Sequence, residues 1–93
     1  MNKRVLIADD EPNIVISLEF LMKREGHAVS VARDGPSALE AIRGTRPDLV
    51  LLDVMMPGQS GLEVLPKVRA AHPDVTVVMM SGNATLSTAV NAT

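Results

Sequence analysis

Four short, dense apolar runs divide the chain, and segments with helical periodicity lie between them. The runs cover residues 4–9, 27–33, 47–53 and 74–80. Continuous apolar runs of this length are typical of strands that are buried on both faces. In the second run apolar and polar residues alternate, which predicts a less completely buried strand at the edge of a sheet.

The first two helical segments have clear start and stop signals. One begins near Pro12, a residue that a first helical turn tolerates, and ends at Gly26. Its predicted apolar stripe consists of Ile14, Leu18, Leu21 and Met22. The second segment covers residues 34–44 and places Leu39 and Ile42 on one face.

The second half of the chain predicts two more helices. Residues 54–61 are rich in Pro and Gly and predict a loop, which is followed by a helix over residues 62–72. Its predicted apolar stripe consists of Leu62, Leu65 and Val68. Pro66 interrupts this stripe, so we expect the helix to start late or to kink there. A last helix is expected around Ala84, with Asn83 as its cap.

The resulting order is strand, helix, strand, helix, repeated to the end of the chain. Buried strands that alternate with helices indicate an α/β fold, a doubly wound parallel sheet covered on both faces. Right-handed crossover connections leave only a few possible topologies. Ligands of such sheets bind beyond the carboxyl ends of the strands.

Composition narrows the classes of function. The 93 residues suit one domain, and a net charge of −2 gives no indication of a nucleic-acid or anionic-membrane partner. The absence of cysteine excludes disulfides and cysteine-ligated metals. No apolar run approaches the roughly 18 residues of a membrane span, and the N-terminal run is too short for a signal peptide. We therefore expect a cytoplasmic protein.

Acidic residues follow two of the predicted strands. Asp9 and Asp10 end the first strand, and Asp53 ends the third. If these strands are neighbours, three carboxylates meet at one edge of the sheet and repel one another unless a cation lies among them. Ligands that are all oxygen favour Mg²⁺, and a Mg²⁺ with open positions suits phosphoryl chemistry. A single aspartate at a strand end is as easily a helix cap or a solvated turn residue, but acids at two strand ends favour the metal site.

Three segments together resemble the receiver domain of two-component response regulators, and the resemblance runs along all 93 residues. These segments are VLIADDE at 5–11, PDLVLLDVMMPG at 47–58 and VVMMSG at 77–82. The resemblance implies a flavodoxin-like, CheY-like sheet with strand order 2-1-3-4. It also implies a regulatory phosphoacceptor rather than an enzyme, which takes a phosphoryl group from a sensor histidine kinase or a phosphotransfer protein. The sequence from Leu62 onward resembles regulators of the NtrC type.

The resemblance also assigns roles to individual residues. Asp53 would be the phosphoacceptor, and Asp10 and Asp53 would ligate Mg²⁺ directly. The remaining ligands would be the backbone carbonyl of Met55 and, through water, Asp9. Ser81 would be the switch hydroxyl that turns toward the phosphate, and Gly82 would leave room for that phosphate. From the residues alone, Ser81 is more simply a turn or capping residue.

The family pattern continues beyond the last residue of this chain. A receiver domain normally has a fifth strand, which carries a lysine that pairs with the phosphoryl group, and a fifth helix. We therefore expect residues 1–93 to be a receiver domain truncated after the start of the fourth helix. An apolar last strand at the sheet edge would favour pairing with another chain, so we expect a homo-oligomer that forms through residues 74–93. The groups needed to bind Mg²⁺ are present in these 93 residues.

Two other functions remain as alternatives. One is an inert receiver fragment that folds by self-association, which failure to bind Mg²⁺ would favour. The other is a Mg²⁺-dependent phosphohydrolase with an aspartate nucleophile, which turnover of a phosphate ester would favour. Such a hydrolase commonly has a second acid two residues after the nucleophile, where this chain has Met55.

Overall fold

Four strands and three helices alternate in the computed structural model, which describes residues 3–56 and 60–80. In chain order they are β1 (Arg4–Ala8), α1 (Pro12–Arg24), β2 (Ala28–Ala32), α2 (Gly35–Thr45), β3 (Leu49–Asp53), α3 (Gly61–Ala71) and β4 (Thr76–Met80). The predicted alternation is confirmed for these elements. The helix predicted around Ala84 lies outside the described residues.

The four strands form one parallel sheet in the order β2-β1-β3-β4, as predicted. β1 lies between β2 and β3, and Leu6 is in register with Ser30 on one side and Val50 on the other. β2 is the least buried strand and lies at an edge, which confirms the interpretation of its alternating pattern. Since β1 and β3 are neighbours, the residues that follow them meet at the same edge of the sheet.

Side chains alternate between the two faces of the sheet and build a core on each. On one face, Leu6 and Val50 pack with Ile42 of α2 and with Val64 and Val68 of α3. The second core consists of Val5, Ile7, Val15, Leu51 and Met80, with Leu18 and Met22 of α1 packed against it. Within the described residues, none of the helices is long and apolar enough to cross a membrane.

Two predicted helix faces are partly wrong. In α1, Leu18 and Met22 pack against the core as expected, but Val15 joins them and Leu21 is 40% exposed. In α3 the inward face is formed by Gly61, Val64 and Val68, while Leu62 is 64% exposed. Spacings of three and four residues fit more than one stripe when a helix has apolar residues all round, so the stripe that turns inward is decided by the sheet.

The start of α3 contradicts the first of the two alternatives that Pro66 raised, a late start, and the expected kink stays a prediction. Ser60 accepts a hydrogen bond from the Glu63 N–H through its hydroxyl, and the Glu63 carboxylate accepts one from the Ser60 N–H, which is a capping box. This cap fixes the first turn at Gly61, so the helix does not start late. Pro66 lies inside the helix at an exposed position.

Candidate functional site

Three carboxylates meet at the carboxyl edge of the sheet. Asp9 and Asp10 directly follow β1, and Asp53 is the last residue of β3. Ala8 is in register with Leu52, so the two strand ends lie side by side. One carboxylate oxygen from each aspartate lies within 4.8 Å of the others. The convergence expected from the sequence is therefore present.

Asp9 and Asp53 are held in the same local geometry. Both are buried, with 1% and 4% of their surface exposed. Oδ1 of Asp9 accepts a hydrogen bond from the Glu11 N–H at 2.8 Å, and Oδ1 of Asp53 accepts one from the Met55 N–H at 3.1 Å. An aspartate that bonds the backbone two residues ahead makes a tight turn. Each carboxylate is thereby fixed to the loop that follows its strand.

The electrostatics of the cluster act mainly on Asp53. The pKa of its carboxyl is raised from 3.8 to about 6, mainly because the group is buried. The hydrogen bond from the Met55 N–H lowers this pKa and offsets part of the effect of burial. The negative charges of Asp9 and Asp10 contribute to this rise, as does a hydrogen bond that protonated Asp53 donates to Asp9. A nearby cation would reverse this effect and keep the carboxylate ionised.

Solvent reaches the cluster from one side. Asp10 is exposed, unlike its two acidic neighbours. It lines an open cavity of about 420 Å³ with Val54, Met55, Met56 and Ser60. The Met55 side chain is 67% exposed at this opening. Within the described residues, this cavity therefore reaches the acidic cluster at Asp10.

The donor set fits a hard divalent cation. The ion pairs of the described residues join Lys23 to Glu19 and Arg43 to Glu40, so within that part of the chain no basic side chain pairs with the acidic cluster. Two buried carboxylates and one exposed carboxylate offer oxygen ligands only, which Mg²⁺ prefers. Asp9, Asp10 and Asp53 would hold the ion.

Of the other site residues predicted from the sequence, Met55 lies beside the acidic cluster. The Met55 N–H is bonded to Asp53, but the predicted role of the Met55 carbonyl as a ligand stays a prediction. Ser81 and Gly82 lie outside the described residues. The roles of Asp9, Asp10 and Asp53 as ligands and phosphoacceptor also remain predictions.

Two residues beside the cluster were missed by the sequence reasoning. Glu11 does not join the acidic cluster, because its side chain caps α1 by accepting a hydrogen bond from the Asn13 N–H at 3.1 Å. The proline directly after Glu11 was the available signal for a cap at that position. Gly61 was assigned only to a loop, although its N–H donates to the carbonyl of Val54 beside the site.

Comparison with known proteins agrees with the fold. The sequence profile of the response regulator receiver domain matches residues 5–93. The chain belongs to this family. The predicted family and its CheY-like fold are thereby confirmed. Among solved structures, the response regulator TrrA from Thermotoga maritima, in complex with Mg²⁺-BeF, superposes with a TM-score of 0.82. This receiver domain is 38% identical to TrrA, and the match covers 88% of this chain and 71% of that one.

Curated relatives are considerably longer than this receiver domain. The probable transcriptional regulatory protein TcrX of Mycobacterium tuberculosis is 43% identical over 77 residues, which are 83% of this chain and 33% of TcrX. The nitrogen assimilation regulatory protein NtrX of Azorhizobium caulinodans is 41% identical over 90 residues, which are 95% of this chain and 20% of NtrX. The chain thus spans a third or less of the length of these relatives.

Proposed function

We propose that this receiver domain is a phosphoacceptor module of a two-component phosphorelay, in which Asp53 takes a phosphoryl group from a phosphohistidine. The donor is a sensor histidine kinase or a phosphotransfer protein. The observation that carries the proposal is the convergence of Asp9, Asp10 and Asp53 within 4.8 Å at the carboxyl edge of the sheet. The role is regulatory, because the domain itself receives the group.

Mg²⁺ is the proposed cofactor. Asp10 and Asp53 ligate it directly, with the backbone carbonyl of Met55, and Asp9 acts through water. The three carboxylates offer oxygen ligands only, which supports a hard divalent cation. The related TrrA was solved with Mg²⁺-BeF, which also supports this choice of metal.

The transfer step makes one bond and breaks one. A carboxylate oxygen of Asp53 attacks phosphorus, the phosphorus–nitrogen bond of the phosphohistidine breaks, and the electron pair leaves with the imidazole. The Met55 N–H holds Oδ1 of Asp53, so the carboxylate has a fixed orientation at the end of β3. When bound, Mg²⁺ keeps Asp53 ionised and offsets charge on the transferring oxygens.

Two residues outside the described part of the chain complete the proposal. By the family pattern, the hydroxyl of Ser81 turns toward the new phosphate and Gly82 leaves room for it. A phosphoryl group adds charge and strong hydrogen-bond acceptors, which can bias a loop between two arrangements. Replacing Ser81 by Ala would leave phosphorylation of Asp53 in place and weaken the structural response to it.

We also propose that the domain self-associates through residues 74–93. In the described part of the chain β4 pairs with β3 alone, and it is rich in apolar residues. An edge of this kind favours pairing with a second copy. Light scattering over a range of concentrations tests the idea: an oligomer that dissociates on dilution supports it, and a monomer at the highest concentration contradicts it.

The experiment for the proposed function uses a small-molecule phosphodonor. The protein is incubated with acetyl phosphate and Mg²⁺, and its intact mass is recorded beside Asp53→Asn and beside a sample with EDTA. We expect one phosphoryl adduct on the wild type only, and only with Mg²⁺. A folded wild type that binds Mg²⁺ and gains no adduct would contradict the proposal.

The same protein preparation, incubated with Mg²⁺ and a phosphate ester in place of acetyl phosphate, separates the two alternatives. Continuous release of inorganic phosphate from a phosphate ester, without a stable adduct, would favour the phosphohydrolase. Absence of Mg²⁺ binding in a folded oligomer would favour the inert fragment.

A further inference from the structure

Gly61 lies in unusually tight contact with the strand that carries Asp53. It is the first residue of α3. A Cβ atom added at this position would overlap the carbonyl oxygen of Asp53, and it would lie 2.9 Å from the carbonyl carbon of Asp53 and 3.0 Å from Cα of Val54. All three are backbone atoms, so a side-chain rotation cannot relieve the clash.

The lack of space for a Cβ atom, and not the backbone conformation, explains why position 61 is a glycine. Among the described residues, only Gly26 and Arg46 have a positive φ, so Gly61 has a backbone that any residue could adopt. Its N–H donates a hydrogen bond of 2.9 Å to the carbonyl of Val54. The first turn of α3 is therefore bonded to the end of β3 at a separation that only a residue without Cβ permits.

The backbone of Val54 is also hydrogen-bonded to β4. The Val54 N–H donates to the carbonyl of Met80 in β4 at 2.7 Å. Val54 is thus bonded to β4 on one side and to the start of α3 on the other. The next residue, Met55, donates its N–H to Oδ1 of Asp53. A shift of the backbone at Asp53 and Val54 would therefore move the Asp53 carboxylate and the Met55 peptide together.

We infer that Gly61 is a positioning residue for the acidic cluster, which sets the geometry of the Asp53 carboxylate and the Met55 carbonyl toward Mg²⁺. The inference rests on the proposed function. A Cβ at Gly61 must push the start of α3 away from β3 or displace residues 53–55. Sites of this kind require ligands to be held within about 0.5 Å, so either movement weakens metal binding.

The test compares Gly61→Ala with Gly44→Ala. Gly44 also lies in a helix, but a Cβ there would meet no atom within 4 Å apart from its chain neighbours and the backbone of its own helix, so this variant controls for a glycine-to-alanine change in a helix. Mg²⁺ dissociation constants are measured by titration of backbone amide resonances, with the fold of each variant verified by circular dichroism. We expect Gly61→Ala to weaken Mg²⁺ binding by about tenfold, in the range for supporting residues of a metal site. Gly44→Ala should bind Mg²⁺ like the wild type.

The outcomes separate this inference from the proposed function. A folded wild type that does not bind Mg²⁺ would refute the proposed metal site itself. A wild type that binds, beside a Gly61→Ala variant that is less stable but has the same dissociation constant, would overturn the inference, because Gly61 would then be merely structural.

A second measurement covers the case in which Gly61→Ala does not fold. Semisynthesis can replace the Gly61 amide by an ester, which removes the hydrogen bond to Val54 without adding an atom. We expect a smaller loss of Mg²⁺ affinity in the same direction, together with a shifted Met55 amide resonance. An unchanged affinity and an unchanged Met55 resonance would overturn the inference.

Discussion

Replacing Asp53 by Asn should stabilise the metal-free protein at high pH. The wild-type side chain is 4% exposed and lies beside two other aspartates, so its charge is unfavourable in the folded state. Asn removes this charge, has almost the same size and keeps an oxygen that can accept the Met55 N–H. The substitution therefore isolates the electrostatic contribution of Asp53 to the free energy of unfolding.

The magnitude follows from the pKa of Asp53. Burial and the neighbouring carboxylates raise this pKa from 3.8 to about 6 in the folded state. Because the folded state holds the proton more tightly, the stability contributed by Asp53 is greatest below pH 3.8 and is lost as the pH rises through about 6. A difference of about two pKa units at about 1.4 kcal/mol each gives up to about 3 kcal/mol. The free energy of unfolding of Asp53→Asn should exceed that of the wild type by most of this amount at pH 8 and by little at pH 4.

The assay is urea unfolding followed by far-UV circular dichroism, since the chain has no Trp or Tyr to serve as a fluorescent probe. Wild type and Asp53→Asn are measured at pH 4, 6 and 8 with EDTA and constant salt. Asp74→Asn, at an exposed position, is the matched control and should differ little from the wild type at any pH. If Asp53→Asn is no more stable than the wild type at pH 8, or if its advantage persists at pH 4, the reasoning about the acidic cluster is wrong.

Three further predictions concern metal binding, the core and a helix cap. Millimolar Mg²⁺ should raise the thermal midpoint of the wild type at pH 8 and have a much weaker effect on Asp10→Asn, as differential scanning calorimetry would show; equal shifts in both proteins would exclude Asp10 as a ligand. Leu6→Ala, at a fully buried position, should cost about 2–5 kcal/mol in urea unfolding, whereas Leu62→Ala, at a position that is 64% exposed, should cost less than about 0.5 kcal/mol; similar losses would contradict the described core. Ser60→Ala should destabilise the protein by about 1 kcal/mol in the same assay because the Glu63 N–H loses its capping partner, and an unchanged midpoint would show that the cap is dispensable.

The parallel sheet could be predicted from strong local patterns, and the convergence of the acids from the strand order that the family resemblance implies. Continuous apolar runs can be buried on both faces only in a covered parallel sheet, and the neighbouring positions of β1 and β3 then bring Asp9, Asp10 and Asp53 to one edge. The weaker alternation in residues 27–33 was enough to place β2 at the edge.

The details that hydrophobic periodicity missed depend on local helix caps and on one close backbone contact. Leu62 fits an apolar stripe by spacing, but the capping box at Ser60 and the contact of Gly61 with β3 turn that side chain to solvent. Glu11 continues an acidic run in sequence, yet its side chain bonds to the start of α1. In each case a local cap or a backbone contact decided the orientation, and hydrophobic periodicity carries no information about either.

The most direct test of the phosphoacceptor role is to locate the phosphoryl group. After incubation with acetyl phosphate and Mg²⁺, the protein is reduced with borohydride, which converts an aspartyl phosphate to homoserine, and its peptides are sequenced by mass spectrometry. We predict homoserine at position 53 and unmodified aspartate at positions 9 and 10. Modification of Asp9 or Asp10 with Asp53 intact, or no modification in a folded protein that binds Mg²⁺, would contradict the account.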